Sequence, residues 1–220
     1  MAQLPLDLGH RASFSGEDFL VAPCNQAAVA WLDRWPDWPG PGLAVHGPAG
    51  CGKTHLARVF QAGAAARLLS PADLPLAPAP QLLAGAKAAV LDGSPPLAER
   101  ALLHLYNHLA ETGGHLLIVA PEAPARWPVD LPDLASRLAA LPAVRIDPPD
   151  DRLIEVLLIK LFADRQLAVP PEVVTYLTVR VERSFEALRG VVGLLDRESL
   201  ARRRAVTLPL AREIVERDSA

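Results

Sequence analysis

Cysteine is scarce in this chain of 220 residues, which holds only Cys24 and Cys51. Two thiols build no disulfide framework, so a cystine-stapled secreted domain is excluded and a reducing compartment fits. No apolar run approaches the roughly 20 residues that a membrane-spanning helix requires. Met1-Ala2-Gln3 opens without the basic stretch and apolar core of a secretion signal. A cytoplasmic protein with no membrane partner is the expectation. Excess positive charge is missing as well. The formal net charge is −3, so nucleic-acid binding would need a local basic patch. The nearest candidate, Arg197 with Arg202, Arg203 and Arg204, is interleaved with Asp196, Glu198 and Glu213, the pattern of a solvated helix face. Charged residues make up 21% and hydrophobic ones 50%. That balance excludes wholesale disorder, and the length supports one core or a core with a small satellite domain.

What is present is an octapeptide, Gly47-Pro48-Ala49-Gly50-Cys51-Gly52-Lys53-Thr54, which completes the pattern G-x-x-x-x-G-K-T. Its parts have separate tasks around a nucleoside triphosphate. Glycines allow a tight turn whose N–H groups meet phosphate oxygens. Lys53 brings a compact positive charge to the β- and γ-phosphates, and Thr54 offers a hydroxyl to Mg²⁺. The apolar run before the loop reads as a buried strand and Thr54–Gln61 as a helix, whose positive end faces the phosphates. ATP or ADP with Mg²⁺ is the implied cofactor. Cys51 inside the loop reads as a small spacer, with no nucleophilic role.

Short apolar runs alternate with helical patterns over the first two-thirds of the chain. Strands are expected at Leu43–His46, Arg67–Ser70, Ala88–Asp92, Leu116–Ala120 and Val144–Ile146. Helices are expected at Gln26–Arg34, Leu97–Glu111 and Leu131–Leu138 besides the one after the loop. Such alternation predicts an α/β domain with a parallel sheet covered on both faces. Beyond Pro148-Pro149 only helical periodicity remains, at Asp151–Arg165, Glu172–Val181, Phe185–Arg203 and Leu208–Arg217. The expected organisation is an N-terminal peptide over 1–10, an α/β nucleotide-binding domain over 11–149 and an all-α lid over 150–220. The third strand ends in Asp92, an acid able to orient Mg²⁺ or its water shell beside Thr54. His104 and His108 are spaced for one helix face but lack a further ligand. Trp31, Trp35 and Trp38 read as packing of the loop before the first strand.

These motifs resemble a known family. Gly-Lys-Thr-His-Leu at 52–56, Asn25 in F-L-V-A-P-C-N and the helix L-L-H-L-Y-N-H-L are similar to the AAA+ domain of the bacterial replication initiator DnaA. L-P-D-L-A-S-R-L at 131–138, P-P-D-D-R-L at 148–153, K-L-F-A-D-R-Q-L at 160–167, V-E-R-S-F-E-A-L at 181–188 and L-D-R-E-S-L-A-R-R-R at 195–204 resemble the Hda family of DnaA-related regulatory inactivators. The resemblance implies an AAA+ phosphate-loop domain with a parallel five-stranded sheet and a helical lid. It implies that Arg137 is an arginine finger reaching ATP on a neighbouring protein, where such a charge is worth about 10³–10⁵ in rate. It also implies that Arg183 is a lid sensor facing the phosphates, that His55 belongs to the nucleotide site and that Asn25 covers the adenine. Gln3, Leu4, Leu6 and Leu8 of Q-L-P-L-D-L are similar to a peptide that binds the sliding clamp, the β subunit of DNA polymerase III. DnaA and the clamp are the implied partners, with DNA met only indirectly and a homodimer as a further expectation.

The sequence also departs from this pattern. Gly93 stands where many ATPases carry a second acid, and Ala120-Pro121 where a polar first sensor is expected. Slow or absent intrinsic hydrolysis follows as an expectation, with nucleotide, by resemblance ADP, acting as a structural ligand. Residues 71–86 hold Pro71, Pro75, Pro78 and Pro80 and leave room for at most a short helix where DnaA carries more. No DNA-binding segment follows the lid before the sequence ends at Ala220, so initiation by the chain itself is not expected. The rival functions are a self-sufficient ATPase of helicase-loader type and an adaptor without catalytic contribution.

Overall fold

The computed structural model describes residues 21–95 and 98–218. Its chain divides into two compact units, one running up to Pro48 and from Lys53 to Asp147, the other holding Ala49–Gly52 and the residues from Pro148 onward. The tip of the phosphate loop therefore groups with the C-terminal helices, and its two flanks group with the sheet.

In the first unit the elements follow in the order α1 (Gln26–Leu32), β1 (Gly42–His46), α2 (Lys53–Gly63), β2 (Arg67–Leu69), α3 (Ala79–Leu83), β3 (Ala88–Asp92), α4 (Glu99–Glu111), β4 (His115–Ala120), α5 (Pro132–Ala140) and β5 (Ala143–Arg145). The five strands form one sheet in the order β2-β3-β4-β1-β5. Every pairing is parallel. The expected strands are all present, with ends that differ by a residue. The expected helices are present too, although α1 stops at Leu32 and α2 runs on to Gly63. The proline-rich stretch yields only the five residues of α3.

Alternation along the strands assigns their faces. Ala44, Ala89, Leu91, Leu116, Ile118 and Ala120 share one core with Leu102, Leu105 and Tyr106 of α4 and Leu134 and Leu138 of α5. Val45, Val90, Leu117 and Val119 are in the opposite phase and equally buried, and α2 packs on β3 and β4. Helices thus cover both faces, which is why the strands read as continuous apolar runs. The tryptophans close one corner of the unit. Trp38 stacks on Phe60 at 5.5 Å, Trp35 meets Phe60 edge-on at 5.9 Å, and both rings contact His115. The Trp38 indole donates to the Trp31 carbonyl at 2.8 Å.

The second unit contains α6 (Asp151–Asp164), α7 (Pro171–Arg180), α8 (Phe185–Arg202) and α9 (Leu208–Asp218). Its core joins Ile154, Leu158 and Phe162 to Val173, Leu177, Leu188, Val192, Leu195 and Ile214. Asp150 accepts the Leu153 N–H at 2.8 Å to start α6, and Ser184 accepts the Ala187 N–H at 3.1 Å to start α8. Each such cap contributes about 0.5–2 kcal/mol. Arg202 bridges both oxygens of Glu213 at 2.7 and 2.6 Å, and Glu198 accepts from Arg202 and Arg217. Arg197, Arg202, Arg203 and Arg204 are all exposed, with Arg202 ion-paired, so they form a solvated face as the charge pattern predicts. Among the described residues no helix is long and apolar enough to cross a membrane.

Candidate nucleotide site and arginine finger

The phosphate loop follows β1 directly, and the Gly47 N–H donates to the Ala120 carbonyl of β4 at 3.3 Å. Gly50 and Gly52 adopt φ of 70° and 98°, a backbone region in which a side chain is strained. The loop ends where α2 begins at Lys53, so the first amides of that helix lie within the octapeptide. The Lys53 ammonium donates to the Pro48 carbonyl at 2.6 Å, folded back across the base of its own loop. Thr54 is exposed and His55 half-buried in the first turn of α2, and Cys51 is buried.

β4 lies between β3 and β1, with Asp92 opposite Val119 and His46 opposite Ala120. Asp92 follows the phase of Ala88 and Val90, opposite to the residues in the α4–α5 core, which puts it on the face that α2 covers. The Thr54 hydroxyl and the Asp92 carboxylate are hard oxygen donors suited to Mg²⁺, an ion that takes few protein ligands and completes its shell with phosphate and water. No cluster of three or more His, Cys, Asp or Glu side chains able to hold a metal occurs among the described residues. His104 and His108 instead line a groove of about 660 Å³ between residues 74–80 and α4.

Gly93 has a physical reason to lack a side chain. A Cβ there would lie 2.6 Å from Cδ of Pro71, at a φ of 147°. Its N–H donates to the Val119 carbonyl at 2.9 Å. The strand end at Asp92 is thus closed over by Pro71, with no space for a second acid.

His46, the last residue of β1, has its pKa lowered by burial first and then by Arg145, Arg126 and Lys53, with Asp147 opposing. Arg145 itself pairs with Asp147 at 2.9 Å. The imidazole at the foot of the loop is therefore neutral at physiological pH.

Arg137 projects from α5, with its guanidinium carbon 5.5 Å from the centre of the Tyr106 ring on α4. Its Nε is buried without a hydrogen-bond partner. Among the described residues no carboxylate pairs with it. Burial raises the Tyr106 pKa and the nearby Arg137 charge opposes the shift. The start of α5 is held from α4, where the Glu99 carboxylate accepts the N–H groups of Asp130 at 3.0 Å and Leu131 at 2.8 Å.

The other expected site residues are placed as follows. Asn25 is buried at 2% exposure, and its side-chain oxygen accepts the Ala22 N–H at 2.8 Å. Its segment is tied to the end of β5 through the Asp147 N–H and the Cys24 carbonyl at 3.1 Å. Arg183 is exposed and pairs with Asp151 at 2.7 Å. Gln3, Leu4, Leu6 and Leu8 lie outside the described residues. Sequence reasoning did not single out Tyr106, Glu99, His46 or the Ser184–Phe185 turn. Only Ser184 carried a usable signal, as a capping residue before a helical pattern.

Comparison with known proteins adds four findings. Residues 150–215 match the family described as Hda, lid domain. The whole fold is similar to the crystal structure of domain III from the Thermotoga maritima replication initiation protein DnaA, with a TM-score of 0.76 and 18% identity over 98% of both chains. AMPPCP-bound DnaA from Aquifex aeolicus is similar at a TM-score of 0.68 and 19% identity, over 88% of this chain and 70% of that one. The Thermotoga maritima RuvB Holliday junction branch migration motor is similar at 0.65 and 12% identity, over 88% and 66%. At these identities the structures share a fold, and that fold is AAA+.

Proposed function

We propose that this AAA+ protein, related to DnaA and Hda, regulates replication initiation by switching off ATP-bound DnaA. Nucleotide, ADP or ATP with Mg²⁺, sits on Gly47–Thr54, with Lys53 at the phosphates, Thr54 and Asp92 toward the metal, and Asn25, His55 and Arg183 around it. The magnesium would supply charge neutralisation between phosphate oxygens. The Gln3–Leu8 peptide tethers the chain to the DNA-loaded clamp and raises its effective concentration beside DnaA on the same DNA. Arg137 then supplies positive charge to the ATP held by DnaA.

The observation that carries this reading is that, among the described residues, no carboxylate pairs with Arg137, whose guanidinium lies over the Tyr106 ring. Arg137 is half-buried, with its Nε buried without a hydrogen-bond partner, and a guanidinium with no carboxylate beside it among the described residues fits a charge held for a partner's anion. Its fixed planar form suits phosphate oxygens. The Pro71 contact at Gly93 and the apolar Ala120 support slow intrinsic turnover, which favours an activator of another protein's hydrolysis over a self-sufficient ATPase.

The test is a reconstituted reaction of ATP-bound DnaA, DNA-loaded clamp and this protein. Clamp-dependent hydrolysis that disappears in both Gln3→Ala and Arg137→Ala is the expected result. Retained activity in Arg137→Ala would reduce the protein to an adaptor, and retained activity in Gln3→Ala would move the tether elsewhere.

A further inference from the structure

The tip of the phosphate loop, Ala49–Gly52, groups with the helical unit, and two consecutive residues at the start of α8 touch it. The Phe185 N–H donates to the Gly50 carbonyl at 3.0 Å. Ser184 sits against the α-carbon of Gly50 so closely that a Cβ added there would lie 2.1 Å from the Ser184 Cβ and 2.8 Å from its hydroxyl. The Phe185 ring lies beside Gly52, 3.5 Å from where a Cβ would stand.

Ser184 is 3% exposed and, among the described residues, one of two polar residues in the buried set. Its hydroxyl accepts the Ala187 N–H as the cap of α8. Its position is fixed twice, by that cap and by the loop it touches. A loop with two left-handed glycines has a high conformational entropy when unsupported. Nucleotide binding must then order it, which weakens affinity unless something else has already done so.

We infer that the Ser184–Phe185 turn is a positioning element for nucleotide. It splints the loop tip through Gly50 and Gly52 and leaves the amides of Gly50–Lys53 curved for phosphate before nucleotide arrives. Neither residue contacts the ligand, and the role of Gly50 is to accept Ser184 as well as to turn the chain. This inference rests on the reading of Gly47–Thr54 as a nucleotide site.

The signature is a compensating pair. Gly50→Ala places a methyl group on Ser184, and Ser184→Gly removes the obstacle while keeping a residue tolerated as a cap. Titration with a fluorescent ADP analogue should show Gly50→Ala weakened by about tenfold or more and Ser184→Gly weakened by a few-fold. The double variant should bind more tightly than Gly50→Ala alone, although each change by itself weakens binding. Amide hydrogen exchange on the nucleotide-free protein gives a second readout. Phe185 should exchange slowly in the wild type, faster in Gly50→Ala and slowly again in the double variant, with α6 and α9 unchanged as the control for folding.

Additive losses, or a Phe185 amide that exchanges freely in the wild type, overturn the inference while leaving the nucleotide reading intact. A wild-type protein that binds no nucleotide overturns that reading and this inference with it.

Discussion

The guanidinium of Arg137 on α5 stacks over the ring of Tyr106 on α4, 5.5 Å from its centre. The contact gives a long side chain a defined direction without neutralising it, as a carboxylate would. Tyr106 is 7% exposed and belongs to the sheet core, so the aim of the arginine is fixed by residues that also fold the domain. A cation over an aromatic face is worth about 0.5–2 kcal/mol.

Tyr106→Phe keeps the ring and should leave stimulation of DnaA-bound ATP hydrolysis nearly intact. Tyr106→Leu keeps apolar volume but removes the aromatic face. Stimulation should then fall by about two- to thirtyfold, the size of one cation–π contact. Thermal melting of both variants separates this loss from unfolding.

Glu99 acts one step further back. Its carboxylate accepts two backbone N–H groups just before α5, where Leu131 provides no side-chain cap. Glu99→Ala leaves both donors to water and frees the helix that carries Arg137. A destabilisation of about 1–3 kcal/mol is expected from urea unfolding, together with a larger loss of stimulation than of clamp binding.

Gly93→Glu should not create an ATPase. The new Cβ would meet Pro71 at 2.6 Å, so the substitution forces either the strand end or residues 71–73 to move. The expected result is a lower melting temperature with no rise in single-turnover hydrolysis by the protein alone. A robust rate in the wild type would already contradict the proposal of slow intrinsic turnover.

Stability should decline between pH 7 and 5 through two histidines. Burial lowers the pKa of His46, helped by Arg145, and burial lowers that of His115 against a hydrogen bond to the Pro36 carbonyl. The unfolded chain protonates these rings at about 6.5, before the native protein does. It therefore binds more protons in that window, and stability falls as pH drops through it. The lowered pKa values of Asp73, held by Ser70, and of Glu198 and Glu213, held by Arg217 and Arg202, place their losses at lower pH. Urea midpoints at pH 7.5 and 5 should differ, and His115→Gln should reduce the difference.

How much of this was legible in the sequence depends on the range of the interaction. The five strands and the helices around them were readable because each is a local apolar pattern bounded by glycine or proline. The loop was readable because its chemistry lies within eight consecutive residues. The setting of Arg137 was not, since Tyr106 and Glu99 lie in a different helix and only packing brings them together. The grouping of Ala49–Gly52 with α8 was equally hidden. Nothing in G-P-A-G-C-G-K-T announces that Gly50 must make room for Ser184. Gly93 was recognised as an absent acid, but its contact with Pro71 needed the fold. Arg183 matched a sensor motif and is found paired with Asp151, a contact that nucleotide would have to compete with.

The most direct measurement is single-turnover hydrolysis of ATP on DnaA with DNA-loaded clamp, comparing wild type with Arg137→Ala and Arg137→Lys. The account predicts that Arg137→Ala returns hydrolysis to the unstimulated rate while clamp binding and nucleotide binding persist, with Arg137→Lys recovering little because an ammonium lacks the planar fork. Full stimulation by Arg137→Ala would contradict it.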